Sequence, residues 1–224
     1  MPPLSGSIGS IDYVVYSKAG RVVAGDLFGM NITGDGRVAI YLGDVAGKGV
    51  GAGMLMASIQ ASIGAYLDVG GRSDAMVQRL NEYVSEHSDS AEFATMFFLQ
   101  FEPESRVAEI VDGGHGYALL IRGKDIQPLH CEGGPPVGAV PGMAFGQSSV
   151  NLEKGDRVVI YSDGVAEQRD TAHDEEFGVE RVIEAVRESS TPEEDVEKIV
   201  AALIAFSGGD LFADDVTIAC FLVP

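Results

Sequence analysis

Stretches that read as strand and stretches that read as helix fall into separate blocks along this chain, and that ordering constrains its fold most. Residues 11–17 and 37–42 are rich in β-branched and aromatic residues and predict strands, with Thr33-Gly34-Asp35-Gly36 as a turn before the second. Helices are predicted over 50–67 and 74–88, the latter with Ser73 as its N-cap and a one-sided stripe of Val77, Leu80, Tyr83 and Val84. Four strands follow, over 95–101, 107–111, 117–121 and 157–161, then helices over 179–188 and 193–206 and a last strand over 216–223. Blocks of this kind argue for an α+β fold of antiparallel sheet with helices outside it, and against a doubly wound parallel sheet. Residues 1–10 read as linker, leaving 11–224 as one domain.

The chain has 224 residues, 46% of them hydrophobic and 22% charged, enough for a well-buried core. The apolar residues of 50–67 cover nearly the whole helix circumference, which predicts a helix buried between other elements. No apolar run is expected to reach the roughly 20 residues that span a bilayer. The N-terminus lacks the charge and apolar stretch of a signal peptide, so the expectation is cytoplasmic residence without membrane insertion. A net charge of −19 disfavours nucleic acid as a ligand. Cys131 and Cys220 are too few for a disulfide framework, and Val137 stands where a cysteine phosphatase would need arginine.

Four short segments share one layout: Ala24-Gly25-Asp26, Gly43-Asp44, Ser162-Asp163-Gly164 and Ala213-Asp214-Asp215. Asp44 and Asp163 follow predicted strands, and Asp214 opens one. A lone Asp-Gly is an ordinary turn. Carboxylates repeated at strand ends beside small residues can instead converge at one sheet edge, where they repel unless a cation neutralises them. An all-oxygen donor set suits Mg²⁺ or Mn²⁺. His87, His115, His130 and His173 show no zinc-like spacing. Gly47-Lys48-Gly49-Val50-Gly51-Ala52 satisfies a relaxed dinucleotide pattern, but the acidic residue about 20 positions on, Asp68, falls at a helix end instead of a strand end.

In this arrangement the chain resembles the metal-dependent (type 2C, PPM) protein phosphatases, in their SpoIIE-like bacterial branch, from about Ser17 to Leu222. Val23-Ala24-Gly25-Asp26-Leu27-Phe28 and Gly43-Asp44-Val45-Ala46-Gly47-Lys48-Gly49 are similar to the first two metal motifs. Phe93-Ala94-Thr95-Met96, Gly113-Gly114-His115 and Gly134-Pro135-Pro136-Val137-Gly138 are similar to the middle of the domain. Tyr161-Ser162-Asp163-Gly164-Val165-Ala166-Glu167 and Asp214-Asp215-Val216-Thr217 are similar to the closing metal motifs. The resemblance implies an α-β-β-α sandwich of two mainly antiparallel sheets flanked by helices. By position it makes Asp26, Asp44, Asp163 and Asp214 ligands to two divalent cations, Mn²⁺ or Mg²⁺, with the Val45 carbonyl contributing and Asp215 behind them. Gly29 departs from the pattern, since many relatives carry an acidic residue there.

What the resemblance implies about function is hydrolysis of phosphoserine or phosphothreonine by a water activated between two metals, without a phosphoenzyme. Arg21 and Lys48 are the nearest cations for the substrate phosphate. Expected partners are a phosphorylated protein, such as an anti-sigma-factor antagonist, and an N-terminal regulatory or sensor region of a longer protein. The alternative is a catalytically weak phosphatase-like module that binds phosphoproteins.

Overall fold

The computed structural model describes residues 4–20, 25–47, 50–88, 92–170 and 174–224. Two compact units emerge from the chain's contacts. One takes Tyr117–Leu129 and Glu153–Pro224 together with the N-terminal segment; the other takes Gly25–Gly116 and His130–Leu152.

The first unit is built on a six-stranded antiparallel sheet. In spatial order it runs β1 (Leu4–Ile8), β2 (Ile11–Lys18), β11 (Val216–Leu222), β10 (Arg157–Tyr161), β7 (Ala118–Arg122) and β8 (Asp125–Pro128). Alternate residues of the strands, Val14 and Tyr16, Leu119 and Ile121, Val159 and Tyr161, Ile218 and Cys220, form one apolar surface. It is covered by helical stripes, Val182 and Val186 from α4 (Gly178–Val186) and Val196, Ile199 and Leu203 from α5 (Pro192–Ser207). Helix α5 has strong end signals. The Thr191 hydroxyl caps the Glu194 N–H at 3.2 Å, Pro192 opens the first turn, and Gly208 at φ 75° closes the helix. The short helix α3 (Asp163–Ala166) follows β10.

Residues 4–8, expected to be linker, are strand β1, paired with β2 from Leu4↔Val15 to Ile8↔Ile11. Their Gly- and Ser-rich sequence hides the pairing, because an edge strand needs only one hydrogen-bonding neighbour and little side-chain burial.

The second unit carries a five-stranded antiparallel sheet in the order β3 (Asp26–Ile32), β4 (Val38–Val45), β5 (Ala94–Glu102), β6 (Val107–Gly113) and β9 (Ser148–Asn151). The Thr33–Gly36 turn joins β3 to β4 as expected, closed by the Gly36 N–H on the Thr33 carbonyl at 2.9 Å. Helices α1 (Val50–Val69) and α2 (Ser73–His87) cover one face, with Ile59, Ile63, Leu67, Val77, Leu80 and Val84 packed on Leu27, Tyr41, Met96, Phe98 and Val111.

Two expectations about these helices change. Helix α1 is not buried all round: Ala52, Leu55, Ile59, Ile63 and Leu67 point inward, whereas Val50, Met54 and Val69 are exposed. Among the described residues it is also the one helix whose length and composition would let it cross a membrane, a test that the core helix of a globular unit passes equally. Counting uninterrupted apolar residues missed this because Ser58, Gln60 and Ser62 break the run without making the helix polar. Ser73 does not cap α2. It turns inward, its hydroxyl hydrogen-bonded at 2.9 Å to the buried amide of Gln100 on β5, and Arg72 takes the N-cap position.

A buried ion pair crosses the first unit. Arg157 Nε meets Asp195 Oδ2 at 2.6 Å, joining β10 to the first turn of α5, with both side chains almost wholly buried. Removing one partner leaves the other charge buried and uncompensated. Asp195→Ala is therefore expected to cost ~3–5 kcal/mol of unfolding free energy in urea denaturation, and the Arg157→Met/Asp195→Leu double variant to regain most of it. A loss below ~1 kcal/mol would place the pair with exposed ones and defeat the argument.

In the β3–β4 turn the Asp35 carboxyl is held down to about 2 from 3.8, chiefly by hydrogen bonds from Arg37 and Thr33. Its folded pKa lies below the unfolded one, so its stabilisation is present above the unfolded pKa and fades as pH falls through the folded one. Asp35→Asn is expected to lower the urea midpoint at neutral pH, with the gap to the parent closing by about pH 2. A gap that widens on acidification would reverse the sign.

Candidate metal centre

In the second unit the backbone puts two of the predicted ligands face to face. Asp26 opens β3, Asp44 stands next to the end of β4, and the two are register partners. Directly opposed residues on an antiparallel pair project to the same side with Cβ atoms about 4.5–5.5 Å apart, and like charges so placed repel. Both residues are half-buried. The Asp44 N–H donates to Thr95 Oγ1 at 3.1 Å, and Thr95 is its register partner on β5. Gly43 admits this packing, since a Cβ there would stand 2.3 Å from the Thr95 carbonyl oxygen. Val45 closes β4 and is buried.

Gly29, the position that departs from the family pattern, lies opposite Tyr41. A Cβ at Gly29 would stand 2.2 Å from the Tyr41 hydroxyl oxygen. The tyrosine ring occupies the space an acidic side chain would need.

The other pair belongs to the first unit. Asp163 begins α3 directly after Ser162, whose N–H donates to the Thr217 carbonyl and whose hydroxyl accepts from the Thr217 N–H, both at 2.9 Å. This lock sets the start of α3 against the loop entering β11. Gly164 completes the approach, because a Cβ there would lie 2.0 Å from the Asp215 carbonyl oxygen. Asp163 and Asp214 then line one cavity of about 250 Å³ with Glu167, Gln168 and Arg169. Burial pushes the Asp163 carboxyl up, and the carboxylates of Glu167, Asp214 and Asp215 add to that. Asp215 is buried behind Asp214, with its Oδ1 accepting the Gly20 N–H at 2.8 Å.

Carboxylates crowded in this way, with oxygen as the sole donor element, fit a hard divalent cation. Among the described residues no three His, Cys, Asp or Glu side chains are already gathered into a metal cage. The aspartates appear as two pairs. Of the histidines, His87 stacks on Tyr83 and His115 lies near Phe97, while His173 lies outside the described residues. Arg21 and Lys48, the cations expected to meet phosphate, also lie outside them.

Sequence reasoning passed over Gln168, Arg169 and Tyr117. Arg169 reaches Asp174 at 2.9 Å and Glu176 at 2.8 Å. The Tyr117 hydroxyl donates to Glu167 at 3.2 Å, and burial together with that carboxylate pushes it up to about 12. No local motif marks these residues; the turn after α3 brings Gln168 and Arg169 to the cavity, and Tyr117 touches it only through its bond to Glu167.

Known proteins similar to this chain give its family and its fold. Protein IcfG of Synechocystis sp. is 28% identical over 225 residues, covering 88% of this chain and 35% of its own length. Phosphoserine phosphatase RsbU of Bacillus subtilis is 26% identical over 161 residues, covering 71% of this chain and 48% of its own length. The chain thus spans a third to a half of the length of these relatives. The solved SiaA-PP2C domain of Pseudomonas aeruginosa superposes with a TM-score of 0.82 at 22% identity over 95% of this chain and 86% of its own. RsbX, solved in complex with magnesium, gives 0.75 at 18% identity over 99% of this chain and 100% of its own. These likenesses show the fold, that of a PP2C domain with two antiparallel sheets and flanking helices. The sequence model of the family described as Stage II sporulation protein E (SpoIIE) matches residues 34–224, and by that match, which takes in most of the chain, the protein belongs to the SpoIIE family.

Proposed function

We propose that this chain is the catalytic domain of a metal-dependent protein serine/threonine phosphatase, with Asp26, Asp44, Asp163, Asp214 and the Val45 carbonyl holding two Mn²⁺ or Mg²⁺ ions. The observation that carries the reading is the β3–β4 register, which sets Asp26 opposite Asp44. Opposed carboxylates destabilise a strand pair unless something positive lies between them. The shared cavity of Asp163 and Asp214, with the upward shift at Asp163, argues in the same direction. Membership of the SpoIIE family, the name phosphoserine phosphatase carried by RsbU and the magnesium bound by RsbX support it further.

Bound divalent cations supply Lewis acidity toward phosphoryl oxygens and lower the pKa of a water nucleophile. The chain's own part is positional. The β3–β4 ladder fixes Asp26 against Asp44, and the Ser162–Thr217 lock fixes the start of α3, and with it Asp163, against β11. Asp215 tethers the Gly20 backbone behind the site. Arg21 and Lys48 are proposed to meet the substrate phosphate. The proposed substrate is a phosphoserine or phosphothreonine protein of the anti-sigma-factor antagonist kind, with a regulatory or sensor region accompanying this domain in the full-length protein.

Phosphate release from a phosphoserine peptide and from p-nitrophenyl phosphate tests the reading, with Mn²⁺, Mg²⁺ or EDTA present. Activity is expected with either metal and absent in EDTA. Asp44→Ala and Asp163→Asn are each expected to lower kcat/KM by more than the ~10–100-fold typical of losing an outer partner of a metal ligand. Turnover that persists undiminished in EDTA would refute a metal-dependent site.

A further inference from the structure

Asp214 lies in a loop that burial does little to hold. Leu211, Ala213 and Asp214 are exposed between the buried Phe212 and Asp215, and Asp215 is itself held by the Gly20 N–H at 2.8 Å and the Ser162 hydroxyl at 3.2 Å. A ligand on such a loop needs another restraint if it is to keep its place relative to Asp163.

On the side before Asp214 one side chain supplies it. Gln168 follows α3 by two residues and is 6% exposed, although it carries a full primary amide. Its Oε1 accepts the N–H of Ala213, the residue before Asp214, at 3.1 Å. Its Nε2 donates to the Arg169 carbonyl at 2.9 Å. The two partners fix the amide's orientation, since an N–H can meet only the oxygen and a carbonyl only the nitrogen. The backbone of Gln168 is itself anchored: its carbonyl accepts the Phe177 N–H at 2.8 Å, and the Glu167 N–H before it returns to the Asp163 carbonyl at 2.7 Å. A short chain of hydrogen bonds therefore runs from Asp163 through Glu167 and Gln168 to the backbone entering Asp214, along the wall of the cavity both aspartates line.

We infer that Gln168 is a positioning residue that sets Asp214 against Asp163, so that the pair presents its carboxylates to one cation. The inference rests on the metal-site reading above. Gln168 acts through the Ala213 backbone. Partners of this kind, one bond removed from a ligand, tune metal affinity by about 10–100-fold.

The test uses the full chain and three variants. Gln168→Met keeps the length and fills the buried slot but removes both hydrogen bonds. Gln168→Glu keeps the acceptor for the Ala213 N–H, and Asp214→Asn removes the proposed ligand. Free Mn²⁺ is followed by its EPR signal during titration, and exchange of the Ala213 amide is followed in the metal-free protein. Gln168→Met is expected to bind Mn²⁺ about tenfold more weakly. Its Ala213 amide should exchange about tenfold faster, as a backbone hydrogen bond opened to solvent does. The melting temperature without metal should move only a few degrees, the shift expected for one exposed-loop hydrogen bond. Gln168→Glu is expected to keep Ala213 exchange slow. Parent-like Mn²⁺ affinity in Gln168→Met, with Asp214→Asn impaired, would overturn the inference and leave the metal site standing. Weak binding with unchanged Ala213 exchange would overturn it as well. Parent-like binding in Asp214→Asn would remove Asp214 as a ligand, and the role of Gln168 with it.

Discussion

Carboxylates facing one another across a strand pair are an unfavourable arrangement for a sheet, and the second unit maintains one such encounter, while the first unit brings a second carboxylate pair to one cavity from a helix start and a loop. At β3–β4 the ladder hydrogen bonds run from Asp26↔Asp44 to Ile32↔Val38, and Leu27, Tyr41, Met96 and Phe98 pack under α1 and α2. That core holds the register against the repulsion at its end, because slipping by one residue would turn the whole apolar face outward. In the first unit the same task falls to β10 and β11, whose pairing from Arg157↔Leu222 to Tyr161↔Ile218 leads directly into Ser162 and its bonds with Thr217.

Both encounters depend on places where side chains are missing. Gly43 and Gly164 each press a backbone against a neighbouring carbonyl at a distance that forbids a Cβ. Around them stand Thr95 on the Asp44 amide, Gly20 on Asp215 and Gln168 on Ala213. Backbone and amide contacts thus reach Asp44, Asp215 and the residue before Asp214.

The block order of strands and helices was legible because the core is periodic. Residues 157–161 and 216–222 alternate between two buried faces, and α5 carries Thr191, Pro192 and Gly208 as end markers. Asp26, Asp44 and Asp163 stand out in the sequence because each sits beside glycine or serine at an element boundary, and Asp214 because it precedes the last strand. What escaped was set by tertiary contact. Residues 4–8 become a strand only by finding β2, and Ser73 gives up its cap for the Gln100 amide. Helix α1 exposes Val50, Met54 and Val69 despite a composition that reads as buried on all sides. Gln168 looks like any polar residue in a turn until the loop before β11 is brought against it.

The tyrosine over Gly29 has a consequence for how variation at this edge is interpreted. Because the Tyr41 ring fills the space above position 29, the two positions are sterically one site with two side-chain solutions: a small residue beneath an aromatic, or a larger residue beneath something smaller. Movement between them passes through position 41 first, since a glycine tolerates a shrinking neighbour and a buried ring does not tolerate a growing one. A survey that changes one residue at a time would record position 29 as intolerant and would credit to chemistry a veto that belongs to packing.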